Sequence, residues 1–204
     1  MMTMSFATSS DPKRQRVRRG RRLAQGYAMA EEIAPWVRGA HHLADVGCGD
    51  GTIAYHLSAL VGCEVQGFDV GPATVAPIPY EAFDGVHLPA ESQQFDALLL
   101  CYVLHHAQDA SALLAEVARV LEPGGRVVVY EDVPATWFDR VCCWRHERRW
   151  LQRTGPCTFE MPRDWERTFE AYGLKVLARR ALSRWRDPTH PVERVAWVLE
   201  RCLA

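Results

Sequence analysis

Two histidines, His105 and His106, follow the apolar segment Phe95-Asp96-Ala97-Leu98-Leu99-Leu100-Cys101-Tyr102, and two carboxylates, Glu131 and Asp132, follow another that ends at Tyr130. An imidazole titrating near neutrality is suited to taking a proton from a hydroxyl or an amine, and a carboxylate beside it is a second base. Adjacent residues in an extended segment point to opposite sides, so at most one of each pair faces a common pocket. Upstream, Leu43-Ala44-Asp45-Val46-Gly47-Cys48-Gly49-Asp50-Gly51 is a short apolar run that stops at three alternating glycines. A strand, a glycine turn and a helix let backbone come within contact distance of a ligand, because glycine has no Cβ in the way. The spacing is neither the Gly-x-Gly-x-x-Gly of dinucleotide folds nor a P-loop ending in Gly-Lys-Ser/Thr. Roughly eighteen residues beyond the turn, Glu64-Val65-Gln66-Gly67-Phe68-Asp69-Val70 reads as a second strand ending in a carboxylate, where a βαβ unit binds a ribose hydroxyl pair.

Further matches fall in order down the chain: Phe95-Asp96 entering a fourth strand, Val103-Leu104-His105-His106 after it, and Leu113-Leu114-x-Glu116-Val117-x-Arg119-Val120-Leu121-x-Pro123-Gly124-Gly125 before a fifth. Together with the glycine loop and Phe68-Asp69, this succession resembles the class I S-adenosylmethionine-dependent methyltransferases, in particular the methyltransferase type 11-like subgroup, over residues 20 to 132. The resemblance implies an α/β fold, a Rossmann-like doubly wound seven-stranded sheet that is mostly parallel with a reversed last strand. It implies S-adenosyl-L-methionine as cofactor. Asp45 would orient the methionine ammonium end, Gly47, Cys48 and Gly49 would form the loop, and Asp69 would accept hydrogen bonds from the ribose. Val70 would pack on the adenine and Asp84 with Gly85 would close its other edge. Cys101, Tyr102, His106 and Tyr27 would line the same site, and His105, His106 and Glu131 are the catalytic candidates. Plainer roles exist: Asp45 as a cap of the glycine turn, Asp69 as a strand end in solvent, either histidine as packing under its loop, and Cys48 as a structural thiol.

A chain of 204 residues is the size of one domain. The formal net charge is −1, yet Lys13, Arg14, Arg16, Arg18, Arg19, Arg21 and Arg22 crowd one stretch, so the remainder is net acidic and does not point to nucleic acid. Seven cysteines, an odd number, with Cys48, Cys63 and Cys101 beside apolar strands, fit a reducing, cytoplasmic compartment. The first twelve residues lack the apolar stretch of a signal peptide and are expected to be disordered, and no segment is long and apolar enough for a membrane span. Oligomeric state is not legible.

The periodicity predicts one domain over 13–204. It opens with a helix over about 13–38, followed by strands at 43–47 and 64–69 around a helix at 52–61. Strands at 78–83, 96–102 and 126–131 come next, with a helix over 109–122. Three prolines in Gly71-Pro72-Ala73-Thr74-Val75-Ala76-Pro77-Ile78-Pro79 leave no room for the usual crossover helix before the third strand. A lid-like insertion over about 133–160 contains an aromatic-rich helix, Ala135 to Thr154. A helix at 162–172 and edge strands at 175–184 and 192–200 close the chain.

Cys142, Cys143 and His146 offer metal-ligand types but no Cys-x-x-Cys and no second pair, so no metal is expected. Pro156-Cys157 follows the inserted helix rather than the fourth strand, where cytosine-C5 methyltransferases place their nucleophile, and the Asx-Pro-Pro-aromatic motif is absent. The basic run is read first as a solvated helix start. It is read second as a contact to the cofactor carboxylate, and third as an RNA-docking surface. The expected activity is methylation of a small-molecule acceptor, aromatic or apolar, of natural-product or quinone-like type. RNA or protein methylation, and a non-catalytic cofactor-binding module, are the alternatives.

Overall fold

Near-continuous apolar runs in β1 (His42–Val46), β4 (Phe95–Cys101) and β5 (Leu121–Val133) mark strands buried on both faces. In the computed structural model, which describes residues 12–71 and 74–203, the two-residue period of these strands sorts their side chains into two cores. Ala44, Val46, Leu98, Leu100, Val127 and Val129 pack on one side against Leu113, Leu114 and Val117 of α3 (Ala110–Val120) and Trp165 and Phe169 of α5 (Pro162–Ala171). Leu43, Ala97, Leu99, Val128 and Tyr130 pack on the other against Ala30 and Ile33 of α1 (Pro12–Ile33) and Leu57 of α2 (Thr52–Val61). The expected disorder of residues 1–12 falls on positions 1–11 outside the described residues, and so do the side chains of the basic run up to Arg19.

The sheet order is β3-β2-β1-β4-β5-β7-β6, with β2 at Glu64–Asp69, β3 at Tyr80–Ala82, β6 at Leu174–Leu182 and β7 at Glu193–Arg201. Strands β1 to β5 pair in parallel, and β7 runs antiparallel to both neighbours, so it alone is reversed. The chain order reverses between β1 and β4, which places the ligand crevice at the carboxyl ends of those strands.

Several boundaries differ from expectation: α1 ends at Ile33 rather than near 38, and the junction of α3 and β5 is displaced. α3 ends at Val120 and β5 starts at once, because Leu121 pairs with Phe95 and pairing resumes only at Arg126 with Ala97. Residues 122–125 form the bulge between them, turned by Gly124 at φ 79°. The expected loss of the crossover helix holds for the described residues between Asp69 and Tyr80. The carbonyl of Asp50 accepts from the N–H groups of Val75 and Ala76 instead, which fastens that segment to the glycine loop.

The insertion folds as α4 (Trp137–Thr154), opened by a capping box in which Thr136 and Asp139 satisfy each other's N–H groups. Asp139 is fully buried, accepts from the N–H of Glu193 at 3.0 Å and pairs with Arg184 at 3.4 Å, so one carboxylate fixes the start of α4 to β7. Asp139→Ala should destabilise the protein by about 3 kcal/mol, because it strands buried donors and a guanidinium. Urea unfolding measures this, and a loss below about 1 kcal/mol would show that the contact is dispensable.

Candidate active site

The glycine loop is shaped by what surrounds it. Gly47 and Cys48 donate their N–H groups to the carbonyl of Phe68, at 2.7 and 3.1 Å. Gly47 has φ 74°, and a Cβ there would lie 2.3 Å from Val103 Cγ2, so this residue is constrained by packing. Gly49, at φ 56°, has nothing within 4 Å of its Cβ position and lines an open cavity. Its N–H donates to Asp69 at 2.8 Å, and the N–H of Gly71 donates to the other oxygen of Asp69 at 2.9 Å. Asp69 therefore joins the loops after β1 and β2 and still has lone pairs for a diol.

Asp45 lies beneath this loop, 1% exposed, with one carboxylate oxygen lacking any partner. Burial and then the charge of Asp69 push its pKa up to about 7, against a hydrogen bond from the N–H of Ala54. An orphaned, half-protonated carboxyl under a glycine turn suits the cationic end of a ligand. Cys48 packs against Gly67, and burial raises its thiol pKa, so it is inert in this position.

Other expected contacts disperse. Val70 is 62% exposed, and a Cβ at Gly85 would lie 3.3 Å from its Cγ1, so the two stand side by side. Asp84 caps its own turn, accepting from the N–H groups of Val86 and His87 and from the His87 ring, and these bonds hold its pKa down to about 2. Tyr27 turns to α2, edge-on to His56 with centroids 5.3 Å apart, while Gln25, Ala28, Met29 and Glu32 of α1 line the cavity. Cys101 packs in the second core and its thiol pKa is raised by burial. Tyr102, at φ 62°, lines the cavity with the Arg194 guanidinium 5.8 Å over its ring.

Glu131 is fully buried and accepts from the N–H groups of Val103 (3.0 Å) and Leu104 (2.7 Å) and from His105 Nδ1–H (2.5 Å). It anchors the turn, and Asp132, the next residue along, lines the cavity. Burial opposes a charge on His105, but the Glu131 carboxylate outweighs it and raises the His105 pKa. The ring nitrogen Nε2 of His105 is buried without a partner. His106 bonds Thr154 (3.1 Å) and Cys157 (3.3 Å) through Nδ1 and His146 through Nε2, and burial followed by the neighbouring imidazoles lowers its pKa to about 3.

His190 Nε2–H donates to Asp132 at 2.9 Å, and Arg194 Nε lies 2.9 Å from the other oxygen of Asp132. Sequence reasoning missed His190 and Arg194, which come from a loop and from the start of β7 without local motif. It weighed His146 only with its helical neighbours Cys142 and Cys143. The cavity holds about 1250 Å³ and runs from Gly49 and Asp69 to Asp132, His190 and the inner face of α4. A drug-sized ligand needs about 300–1,000 Å³, so a cofactor and a second molecule can share it.

Residues 44–129 match the family described as a methyltransferase domain. That segment, less than half of the chain, is similar to the methyltransferase domains of the class I S-adenosylmethionine-dependent enzymes. Methyltransferase GfsG of Streptomyces halstedii is 28% identical over 174 residues, 76% of this chain and 60% of that one. A demethylmenaquinone methyltransferase of Streptomyces avermitilis is 31% identical over 126 residues, 56% of this chain and 53% of that one. The chain thus spans less than two thirds of the length of these relatives. The solved structure of the [4+2]-cyclase SpnF superposes with a TM-score of 0.70 at 17% identity, covering 87% of this chain and 81% of that one, a likeness of fold.

The residues present fit the family's cofactor, S-adenosylmethionine. The open face of Gly49 admits its backbone, Asp69 offers acceptors for its ribose, and the orphaned oxygen of Asp45 suits its ammonium. Asp69→Ala should weaken binding of S-adenosylhomocysteine at least tenfold in calorimetry, and unchanged affinity would remove Asp69 from the site. Asp45 also sets a pH dependence. Its folded pKa of about 7 exceeds the ordinary 3.8, so its neutral form is favoured by folding and stability from this group declines as pH rises between the two values. A bound cation favours the carboxylate, so cofactor binding near pH 7 should release a proton and weaken as pH falls. Calorimetry in buffers of different ionisation heat checks both, and Asp45→Asn should flatten the dependence.

Proposed function

We propose that this protein transfers a methyl group from S-adenosylmethionine to a small-molecule acceptor with an aromatic or apolar body, of natural-product or quinone-like type. The observation that supports this most is the single cavity joining the glycine loop to the inner face of α4. On that face Phe138, Val141, Cys142, Arg145, His146, Arg149 and Trp150 recur at helical spacing and line the cavity. Apolar groups at the two ends of this stripe flank two arginines, a surface suited to a flat acceptor carrying an acidic group. Arg186, paired with Glu32, and Arg194, paired with Asp132, add to the same wall.

When bound, the cofactor supplies a methyl group already activated by its sulfonium. The protein's part is then to hold donor and acceptor in line and to exclude water, which can contribute several kcal/mol to the barrier. Gly49 and Asp69 line one end of the cavity, and α4 covers the other. The His190–Asp132 pair stands on the cavity wall as a carboxylate-supported imidazole, the arrangement that accepts a proton from a hydroxyl or amine. Glu131 serves as an anchor, and His105 and His106 have their nitrogens engaged or enclosed.

A second reading has one observation behind it: the similar solved fold named as a cyclase means that cofactor binding alone does not establish methyl transfer. Incubation with S-adenosylmethionine and a panel of acidic aromatic acceptors separates the two, with acceptor-dependent formation of S-adenosylhomocysteine and a methylated product by mass spectrometry expected. Binding without turnover across the panel would favour the second reading. Arg145→Met and Arg149→Met should each raise the acceptor KM about tenfold, the value of a lost charged hydrogen bond, and leave S-adenosylhomocysteine affinity unchanged. Unchanged acceptor kinetics would take the acidic group out of the proposal.

A further inference from the structure

Four histidines from three separate segments meet under α4. The ring centroids of His105 and His106 are 4.2 Å apart, those of His105 and His146 5.3 Å, and those of His146 and His190 4.8 Å. Imidazoles crowded in this way repel as cations. One ring nitrogen of each of His105, His106 and His146 lies within 4.8 Å of the others. The Nε2 atoms of His106 and His146 are already 3.1 Å apart. Two nitrogens on one tetrahedral zinc at bonds of about 2.0–2.1 Å stand ~3.3 Å apart.

The surroundings of the rings fit the same use. His105 Nδ1–H is held by Glu131, itself fixed by two backbone N–H groups, so Nε2 is the ring nitrogen left for a bond to a cation. That Nε2 is buried and has no hydrogen-bond partner, a cost that a metal would remove. A carboxylate behind an imidazole is the support that zinc-ligating histidines have. His106 is oriented in the same way, with Nδ1 engaged by Thr154 and Cys157 and Nε2 turned to His146.

We propose that His105, His106 and His146 bind one divalent first-row transition cation, of the imidazole-preferring class that includes zinc, at the acceptor end of the cavity. Three nitrogens leave the fourth position of a tetrahedral cation open. That position faces the cavity that all three residues line, so an oxygen or nitrogen of the acceptor can occupy it. The cation also fastens α4, through His146, to the turn after β4. His190 and Asp132 form with His146 a second possible triad, but their nitrogen and oxygen are already joined to each other and to Arg194. The assignment is therefore to the three histidines.

The full chain, stripped with a chelator, should take up one equivalent of Zn2+ in calorimetry and of Co2+ by its visible spectrum. His106→Ala and His146→Ala should each weaken Co2+ at least tenfold, and Glu131→Gln about 10–100-fold as a positioning effect. His190→Ala and Cys157→Ser should leave the Co2+ affinity and spectrum unchanged. S-adenosylhomocysteine affinity, measured on the same samples, should survive His146→Ala, which shows the fold intact and keeps this test separate from the proposed methyl transfer. Absence of saturable binding by the unsubstituted chain overturns the proposal without any variant. So does binding that survives the histidine substitutions, that is lost with His190→Ala, or that shows thiolate absorption abolished by Cys157→Ser.

Discussion

A fully buried carboxylate is costly unless its lone pairs are filled, and the site is arranged around filling those of Glu131. Its two oxygens accept from the N–H groups of Val103 and Leu104 and from His105 Nδ1–H. The chain leaving β4 cannot continue as a strand and also supply those donors. It turns at Tyr102, in the left-handed region at φ 62°, and winds Leu104–His106 into a 3-10 turn. Both histidines are thereby placed by a strand that follows them in the chain. The two-residue period of β5 does the rest. With Glu131 turned into the interior, Asp132 is turned to the cavity, where it gathers His190 and Arg194.

The cofactor half depends on a second carboxylate. Asp69 accepts an N–H from each of two loops, so the glycine turn after β1 and the segment after β2 are held as one surface. This explains how the fold tolerates losing its usual crossover helix. The segment needs anchors in place of helical packing, and it has them in the Asp50 carbonyl and in Tyr80, whose hydroxyl donates to Gly71. The cost is exposure, since Val70 stands largely in solvent.

What the sequence disclosed follows the range of the physics. α2 and β2 coincide with their expected bounds, because a glycine turn, a C-terminal glycine and a terminal carboxylate each act on the next few residues. The start of β5 was misplaced, because pairing of Leu121 with Phe95 is a long-range fact that Pro123-Gly124-Gly125 conceals. Asp45, Gly49 and Asp69 are neighbours, since they belong to one βαβ unit. Tyr27 does not join them: helical phase alone could not show that its ring would turn to His56. Glu131 and Asp132 were legible as a pair with opposite faces, but which one faced the cavity was not. His146, His190 and Arg194 carry no spacing signal at all, because their partners come from other segments.

That difference in range also separates the two halves of the cavity. The family match ends at residue 129, so it includes the glycine loop, Asp69 and the histidine turn but stops short of Asp132, α4, His190 and Arg194. Those later segments line the far end of the cavity, where two of its arginines are paired. Arg186 is neutralised by Glu32, and Arg194 by Asp132. Desolvation raises the free energy of ionised Asp132, yet His190 and Arg194 together hold its pKa below the usual carboxylate value. Because Arg186 and Arg194 have their counter-charges at Glu32 and Asp132, neither on α4, side chains on α4 can change without stranding those charges.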